Sequence, residues 1–283
     1  MSDEKVVLVG VGSDSTNIKP VPDLKHTPTY DYIPIPETWL VADQYTYSDV
    51  ELNNSDETSR VAADEIDAIR PFGTDGDWIT DDETIRNHPV HYDPNFEALT
   101  YGDKRGRGGR GSALVELNPG DGLGFYTGID DGDGLHRYIW GYFTVREVAD
   151  LGGLGTDAYR ERLRNFPENA HAKRLAGAGK AKHEGGNGSS LVIVDGKEPG
   201  GRLERPVKIS TTIDKSQYDD DETPGNTYWL SQKFISEFNY DLQHHSLNDT
   251  TGLAGLDIKH ALHLDLGVQT FQNRLAEWQS EQY

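Results

Sequence analysis

Two turn signals, Asn118-Pro-Gly-Asp121 and Asp130-Asp-Gly-Asp-Gly134, cut residues 113–148 into three short apolar runs rich in aromatic residues. Gly, Pro, Asn and Asp at such points supply backbone conformations that a continuing strand or helix does not. Residues 113–117, 123–129 and 138–148 therefore read as three strands of an antiparallel meander. An apolar run at residues 5–11, broken by Gly10-x-Gly12, adds another strand, and residues 190–195 and 205–210 add two more, joined by a Gly- and Pro-rich loop. Helical patterns are fewer: one short helix near residues 61–69, one at 158–166 with a basic face, and a C-terminal helix at 268–283. In that last segment Val268, Phe271, Leu275 and Trp278 fall on one face. The expected class is α+β, a mostly antiparallel β core with flanking helices and long loops.

A length of 283 residues with 35% hydrophobic content supports one compact domain over residues 1–283. Residues 43–82, acidic and poor in large apolar side chains, read as a surface insertion. The formal charge is -21. Such a surface self-repels in dilute buffer and stays hydrated in concentrated salt, which points to a halophilic protein of haloarchaeal or haloviral origin. Zero Cys excludes disulfides, thiolate nucleophiles and Cys-ligated zinc. The absence of a long apolar run and the acidic start lead to the expectation of a soluble, cytoplasmic chain with no membrane partner.

Charge is unevenly distributed. Residues 1–99 hold 6 Lys/Arg against 21 Asp/Glu, residues 100–183 hold 13 against 11, and residues 184–283 hold 8 against 16. The middle third includes Lys104, Arg105, Arg107 and Arg110 in a Gly-rich stretch, followed by Arg160, Arg162 and Arg164 and by Lys173, Arg174, Lys180 and Lys182, and these read as a phosphate-binding face. The plainer alternative is pairing with neighbouring acids on a solvated surface.

The strongest candidate for chemistry is His91-Tyr-Asp-Pro-Asn-Phe followed by Thr100-Tyr-Gly-Asp103. An imidazole, two carboxylates and a phenol converge there beside Arg105 and Arg107, so His91, Asp93, Tyr101 and Asp103 are candidate catalytic residues. His91 and Asp93 suit a general base with its orienter, or ligation of a divalent ion together with Asp103. The alternative is a turn capped by Asp93 and a local Asp103–Arg105 pair. Gly12-Ser-Asp-Ser-Thr-Asn17 lacks the third glycine of a dinucleotide fingerprint, and Pro20 and Pro22 deny it the following helix. It reads as a polar turn at a strand end, with Asp14 a candidate catalytic residue and Ser13 and Asn17 candidate binding residues. Tyr126 and Trp140 are candidate platforms for stacking a base, or simply core aromatics. His171 and His183 lie in the basic stretch within reach of phosphate. The spacing of His260, His263 and Asp265 suits a metal only on a helix. No metal or cofactor is assigned, and Walker, Gly-x-Ser-x-Gly and zinc-deaminase signatures are absent.

Four phrases in order, Gly10-Val-Gly-Ser-Asp-Ser15, Asp31-Tyr-Ile-Pro-Ile-Pro-Glu37, His91-Tyr-Asp-Pro-Asn-Phe-Glu-Ala-Leu-Thr-Tyr-Gly-Asp103 and Leu117-Asn-Pro-Gly-Asp-Gly-Leu-Gly-Phe-Tyr-Thr-Gly128, resemble the nucleotide modification associated domain 3 family. The resemblance implies a role in base modification, with nucleic acid or nucleotide as ligand and other modification enzymes as partners. The meander is also similar to PUA, ASCH and EVE barrels, which implies a PUA-like barrel and a non-catalytic reader of modified bases in DNA or RNA. Two readings follow: an enzyme on a phosphate-containing nucleotide, or such a reader or scaffolding partner of an enzyme.

Overall fold

The computed structural model describes residues 4–12, 16–25, 29–39, 41, 45–52, 60–71, 76–105, 110–178, 190–212, 228–241 and 261–283. Its centre is β1, Val6–Gly10, whose Val-Val-Leu-Val run is buried along its whole length. A strand covered on both faces carries such an unbroken apolar run rather than an alternating one. β1 pairs antiparallel with β12, Leu262–Leu264, and parallel with β7, Gly122–Asp130. From β7 the chain turns back through Gly132 (φ 94°) and Gly134 (φ 148°), conformations that L side chains rarely adopt, into β8, Leu135–Asp150. β8 pairs with β9, Leu191–Lys208, and β9 with β6, Thr100–Lys104. The sheet order is β12-β1-β7-β8-β9-β6, and each pairing except β1–β7 is antiparallel. The class is α+β, as expected.

Parallel neighbours need a long crossover. Residues 11–121 supply it, and that excursion carries the short strands β2 (Ile18–Lys19), β3 (Ile35–Pro36), β4 (Ala68–Ile69) and β5 (Val90–His91), helix α1 (Asp82–Arg86), the strand β6 and helix α2 (Arg110–Leu114). After β8 come α3, Thr156–Leu163, and α4, Ala170–Ala178. After β9 come the pair β10 (Ser210–Thr212) and β11 (Tyr228–Leu230), then α5 (Gln232–Glu237). The chain closes with α6, Val268–Gln282, where the expected C-terminal helix stands.

The two faces of the sheet carry separate cores. Val7, Val9, Leu123, Phe125 and Trp140 belong to the larger, which also takes in the crossover residues. Val6, Leu8, Tyr126, Ile139 and Tyr142 belong to the other, which α6 closes with Val268, Phe271, Leu275 and Trp278. Among the described residues no helix is long and apolar enough to cross a membrane.

Three local expectations are corrected. Residues 113–117 are not a strand: Ala113 and Leu114 end α2, and turns to Glu116 and Leu117 follow, so the meander reduces to the β7–β8 hairpin. Five apolar residues fit a buried helical turn as well as a strand, and packing arbitrated. Residues 43–82 are not a surface insertion where described. Tyr47, Val50, Leu52, Ala62, Ala63, Ile66 and Ile69 all lie in the larger core. Apolar residues are sparse there but nearly all point inward, while the acids face water, and the expected helix is a 3-10 turn at Ala62–Asp64 leading to β4. Finally, the two strands expected at residues 190–195 and 205–210 merge over Leu191–Lys208 into one strand, β9, with Ser210 already in β10, because the Gly- and Pro-rich stretch between them shifts register along β8 without ending the pairing. The Gly- and Lys-rich residues 176–187, whose composition reads as a loop, begin inside α4, and their remainder, like all of the acidic residues 214–226, lies outside the described residues.

Candidate functional site

Pairing of β3 with β5 sets Ile35 opposite His91 and so places Glu37, just past β3, beside the imidazole. The Glu37 carboxylate, 4% exposed as a residue, accepts from His91 Nδ1 at 3.1 Å and from Arg174 Nε at 2.7 Å. A carboxylate only accepts, so this contact puts the proton of neutral His91 on Nδ1 and turns its Nε2 lone pair inward. Nε2 lies 3.9 Å from Asp93 Oδ2. Asp93 in turn accepts the Gly102 N–H at 3.1 and 3.2 Å, which anchors its side chain to β6. Tyr32 donates to the Asp93 carbonyl at 2.9 Å, and its ring stacks on Trp140 with centroids 4.4 Å apart.

A second imidazole arrives from α4. Asn169, fully buried, caps that helix by accepting the His171 N–H at 3.0 Å, and its amide donates to Thr100 Oγ1 at 2.9 Å. His171 Nε2 consequently sits 3.3 Å from Asp93 Oδ2 and 3.1 Å from the Gly102 carbonyl, with its Nδ1 3.3 Å from Arg174 Nη1. Only glycine fits at 102, since a Cβ there would stand 2.7 Å from His171 Cδ2. The two imidazoles meet edge to face with centroids 4.8 Å apart. His91, Asp93 and His171 each offer a ligand atom, and the three atoms lie within 4.8 Å of one another.

Electrostatics keep this group in a defined state. Burial opposes a charge on Glu37, but hydrogen bonds from His91 and Arg174 and their positive charge outweigh it and hold the carboxyl at about 2. Burial, reinforced by Arg174, pushes His91 below its ordinary value. Beside Glu37 opens a small cleft of about 160 Å³ whose wall includes Tyr45, Tyr92, Glu168 and Lys173.

Tyr101 and Asp103 form a neighbouring group on the same strand. Tyr101 donates to Asp103 Oδ2 at 3.0 Å, and Arg110 Nε meets the same oxygen at 2.9 Å. Arg110 also donates to the carbonyl of Gly10, tying the end of β1 to β6. Burial pushes the Tyr101 phenol well above its ordinary value, so it stays a donor.

Of the predicted catalytic residues, then, His91 and Asp93 share one centre, Tyr101 and Asp103 stand in the adjoining group, and Asp14 lies outside the described residues, as do Ser13, Arg107, Lys180, Lys182 and His183. Asn17 is engaged elsewhere, its amide on the Arg70 carbonyl at 3.3 Å. Arg110 belongs to the Asp103 pair, whereas Lys104 and Arg105 end β6 exposed, Arg105 meeting Asp150 at 2.7 Å. Other cations of the middle third are also paired with acids, among them Arg146 with Asp195 and Lys173 with Glu168. Tyr126 and Trp140 are 0% and 1% exposed and lie in different cores. His263 stands on β12, an extended strand and not the helix its metal spacing with His260 required; His260, like His244 and His245, is outside the described residues. Sequence reasoning assigned no role to Glu37 or Asn169, and it counted Arg174 among the phosphate-binding cations, whereas its Nε is bound to Glu37. Glu37 closes one of the four phrases quoted above, a signal that was available; Asn169 had none.

A family profile described as nucleotide modification associated domain 3 matches residues 5–252, and the chain belongs to that family. Comparison with curated proteins and with solved structures returned no match.

Proposed function

We propose that this member of the nucleotide modification associated domain 3 family is an enzyme acting on a phosphate-containing nucleotide or nucleic-acid substrate, with His91, Asp93 and His171 as its reaction centre. One observation carries the reading. Two imidazoles and a carboxylate, drawn from β5, the loop after it and the start of α4, converge at 3.3 and 3.9 Å in a buried position, each held by a partner of its own. Buried polar groups cost free energy unless fully partnered, and a convergent group that includes a residue with perturbed ionisation, here His91, marks a functional site.

Transferase or hydrolase chemistry suits the group, which can polarise a substrate oxygen or activate water. Lys104, exposed where β6 leaves the site, supplies a phosphate contact, and Arg105 adds another by exchanging its pair with Asp150 for the substrate. The alternative, a reader stacking a base on Tyr126 and Trp140, requires an open aromatic face, and both rings are core residues. The -21 charge fits a cytoplasm rich in salt. Unfolding midpoints that rise along a KCl series would support that setting, and full stability in dilute buffer would oppose it.

The test is nucleoside mass spectrometry of DNA and RNA from the native host and its deletion strain, complemented by the wild-type gene or by Asp93→Asn. A modified nucleoside should vanish on deletion and return with wild type alone. Restoration by a well-expressed Asp93→Asn chain would refute catalysis and favour a scaffolding role.

A further inference from the structure

We infer that His91 Nε2, Asp93 Oδ2 and His171 Nε2 bind one divalent first-row transition-metal ion, an inference that rests on reading this cluster as the reaction centre. Ligand bonds of about 2.0–2.2 Å to His nitrogen and carboxylate oxygen at near-tetrahedral angles set donor separations of about 3.3–3.6 Å. The 3.3 Å edge from His171 to Asp93 already fits, and the 3.9 Å edge from His91 to Asp93 needs closure of about 0.3–0.6 Å. The third edge, within 4.8 Å, needs closure of about 1.5 Å at most.

For His91 a hydrogen bond chooses the atom that faces the ion. Glu37 holds the Nδ1–H of His91 at 3.1 Å, which leaves the Nε2 lone pair directed at the Asp93 carboxylate. Their 3.9 Å separation is too long for a hydrogen bond, and a lone pair facing a carboxylate is repulsive unless a cation bonds to both. A carboxylate behind a histidine is the arrangement that orients metal-binding imidazoles and raises their basicity. In this structure His171 Nε2 donates to the Gly102 carbonyl at 3.1 Å and its Nδ1 accepts from Arg174 Nη1 at 3.3 Å; ligation through Nε2 moves the proton to Nδ1, so both contacts are given up while Arg174 keeps its 2.7 Å bond to Glu37.

Donor type narrows the metal. Two imidazoles and one carboxylate suit iron(II), manganese, cobalt or zinc, whereas magnesium and calcium prefer oxygen. Three protein ligands leave positions for water or a substrate oxygen. Val90, Tyr92 and Ala170, chain neighbours of His91 and His171, line the adjoining cleft. A dication with Asp93, Glu37 and Arg174 sums to one positive charge, which suits an anionic substrate such as a phosphate ester.

The tag-free full chain, stripped with chelator and titrated with Co(II), should bind one ion per chain and develop d–d absorption. Affinity should fall at least tenfold in Asp93→Asn and in His171→Gln, and vanish in His91→Gln/His171→Gln, with circular dichroism confirming the fold of each. Cu(II) electron paramagnetic resonance of the wild type should show coupling to two imidazole nitrogens, a readout that needs no variant. Binding retained by the double variant, no stoichiometric binding by wild type, or coupling to fewer than two imidazoles would overturn the site. Nucleoside modification by the purified chain that survives chelation would overturn the metal and leave the enzyme reading intact. Stoichiometric binding by a chain on which no nucleoside depends would do the reverse.

Discussion

Beneath α6 the sheet meets Val268, Phe271, Leu275 and Trp278, side chains of one continuous helix whose spacing repeats every three or four residues. Beside β6, on the other side of the fold, Glu37, His91, Asp93, His171 and Arg174 come from three separate segments, none of which repeats anything. The first region gains free energy from area removed from water, a contribution that each side chain makes nearly independently. The second spends desolvation energy on charges and recovers it through mutual hydrogen bonds, so each member's value depends on the others. Stability should therefore be additive and robust under α6, and coupled and brittle at the site.

The largest effect expected is on the apolar side. Phe271→Ala, with Tyr142 and Phe238 packed edge-on against the ring, should cost about 3–5 kcal/mol in denaturant unfolding with an unchanged slope. A loss below about 1 kcal/mol would break the comparison at its stronger end. Next comes the ion pair. Glu37→Gln leaves the half-buried Arg174 without its charge partner and should cost about 3 kcal/mol. Adding Arg174→Gln should then cost less than it does alone, with a coupling of more than about 1 kcal/mol in a double-mutant cycle. Simple additivity would show that the site is no more coupled than the apolar core.

Gly102→Ala separates function from stability. Its methyl group would press on His171 Cδ2 and Asn169, displacing the imidazole. A drop of about 10–100-fold in Co(II) affinity is expected, with about 1–3 kcal/mol of destabilisation from overpacking. Unchanged metal affinity would mean that the position of His171 is not set by its closeness to β6.

The smallest effect concerns a polar group at the hairpin end. Burial opposes ionisation of Asp131, but Lys208 Nζ at 2.8 Å and the Tyr138 hydroxyl at 2.7 Å hold it at about 2. A depressed carboxyl contributes stability that is fully present above its unfolded value and lost as pH falls through the folded one. Between about pH 4 and pH 2 the wild type should therefore lose about 1 kcal/mol that Asp131→Asn does not. Parallel acid-unfolding curves would remove Asp131 as the source.

Residue order alone was enough for the β7–β8 hairpin, because Asp130-Asp-Gly-Asp-Gly134 must turn and the flanking aromatic runs must pair. It was enough for α6, whose apolar stripe has one helical period, and for the prominence of His91 and Asp93 as a close His–Asp pair in a Pro-stiffened loop. These are local signals, and local physics decides them. Only the tertiary structure decided that β1 runs parallel to β7, that residues 113–117 end a helix and turn, and that the sparse apolar side chains of residues 43–82 enter the core. It also sorted Tyr126 and Trp140 into opposite cores, where neither alternation nor aromatic character could place them. Most of all it decided the company of His91, since Glu37 lies 54 residues before it and Arg174 lies 137 residues beyond Glu37. Contacts across such separations leave no period in the chain; they exist only once strand pairing and helix capping have brought the segments together.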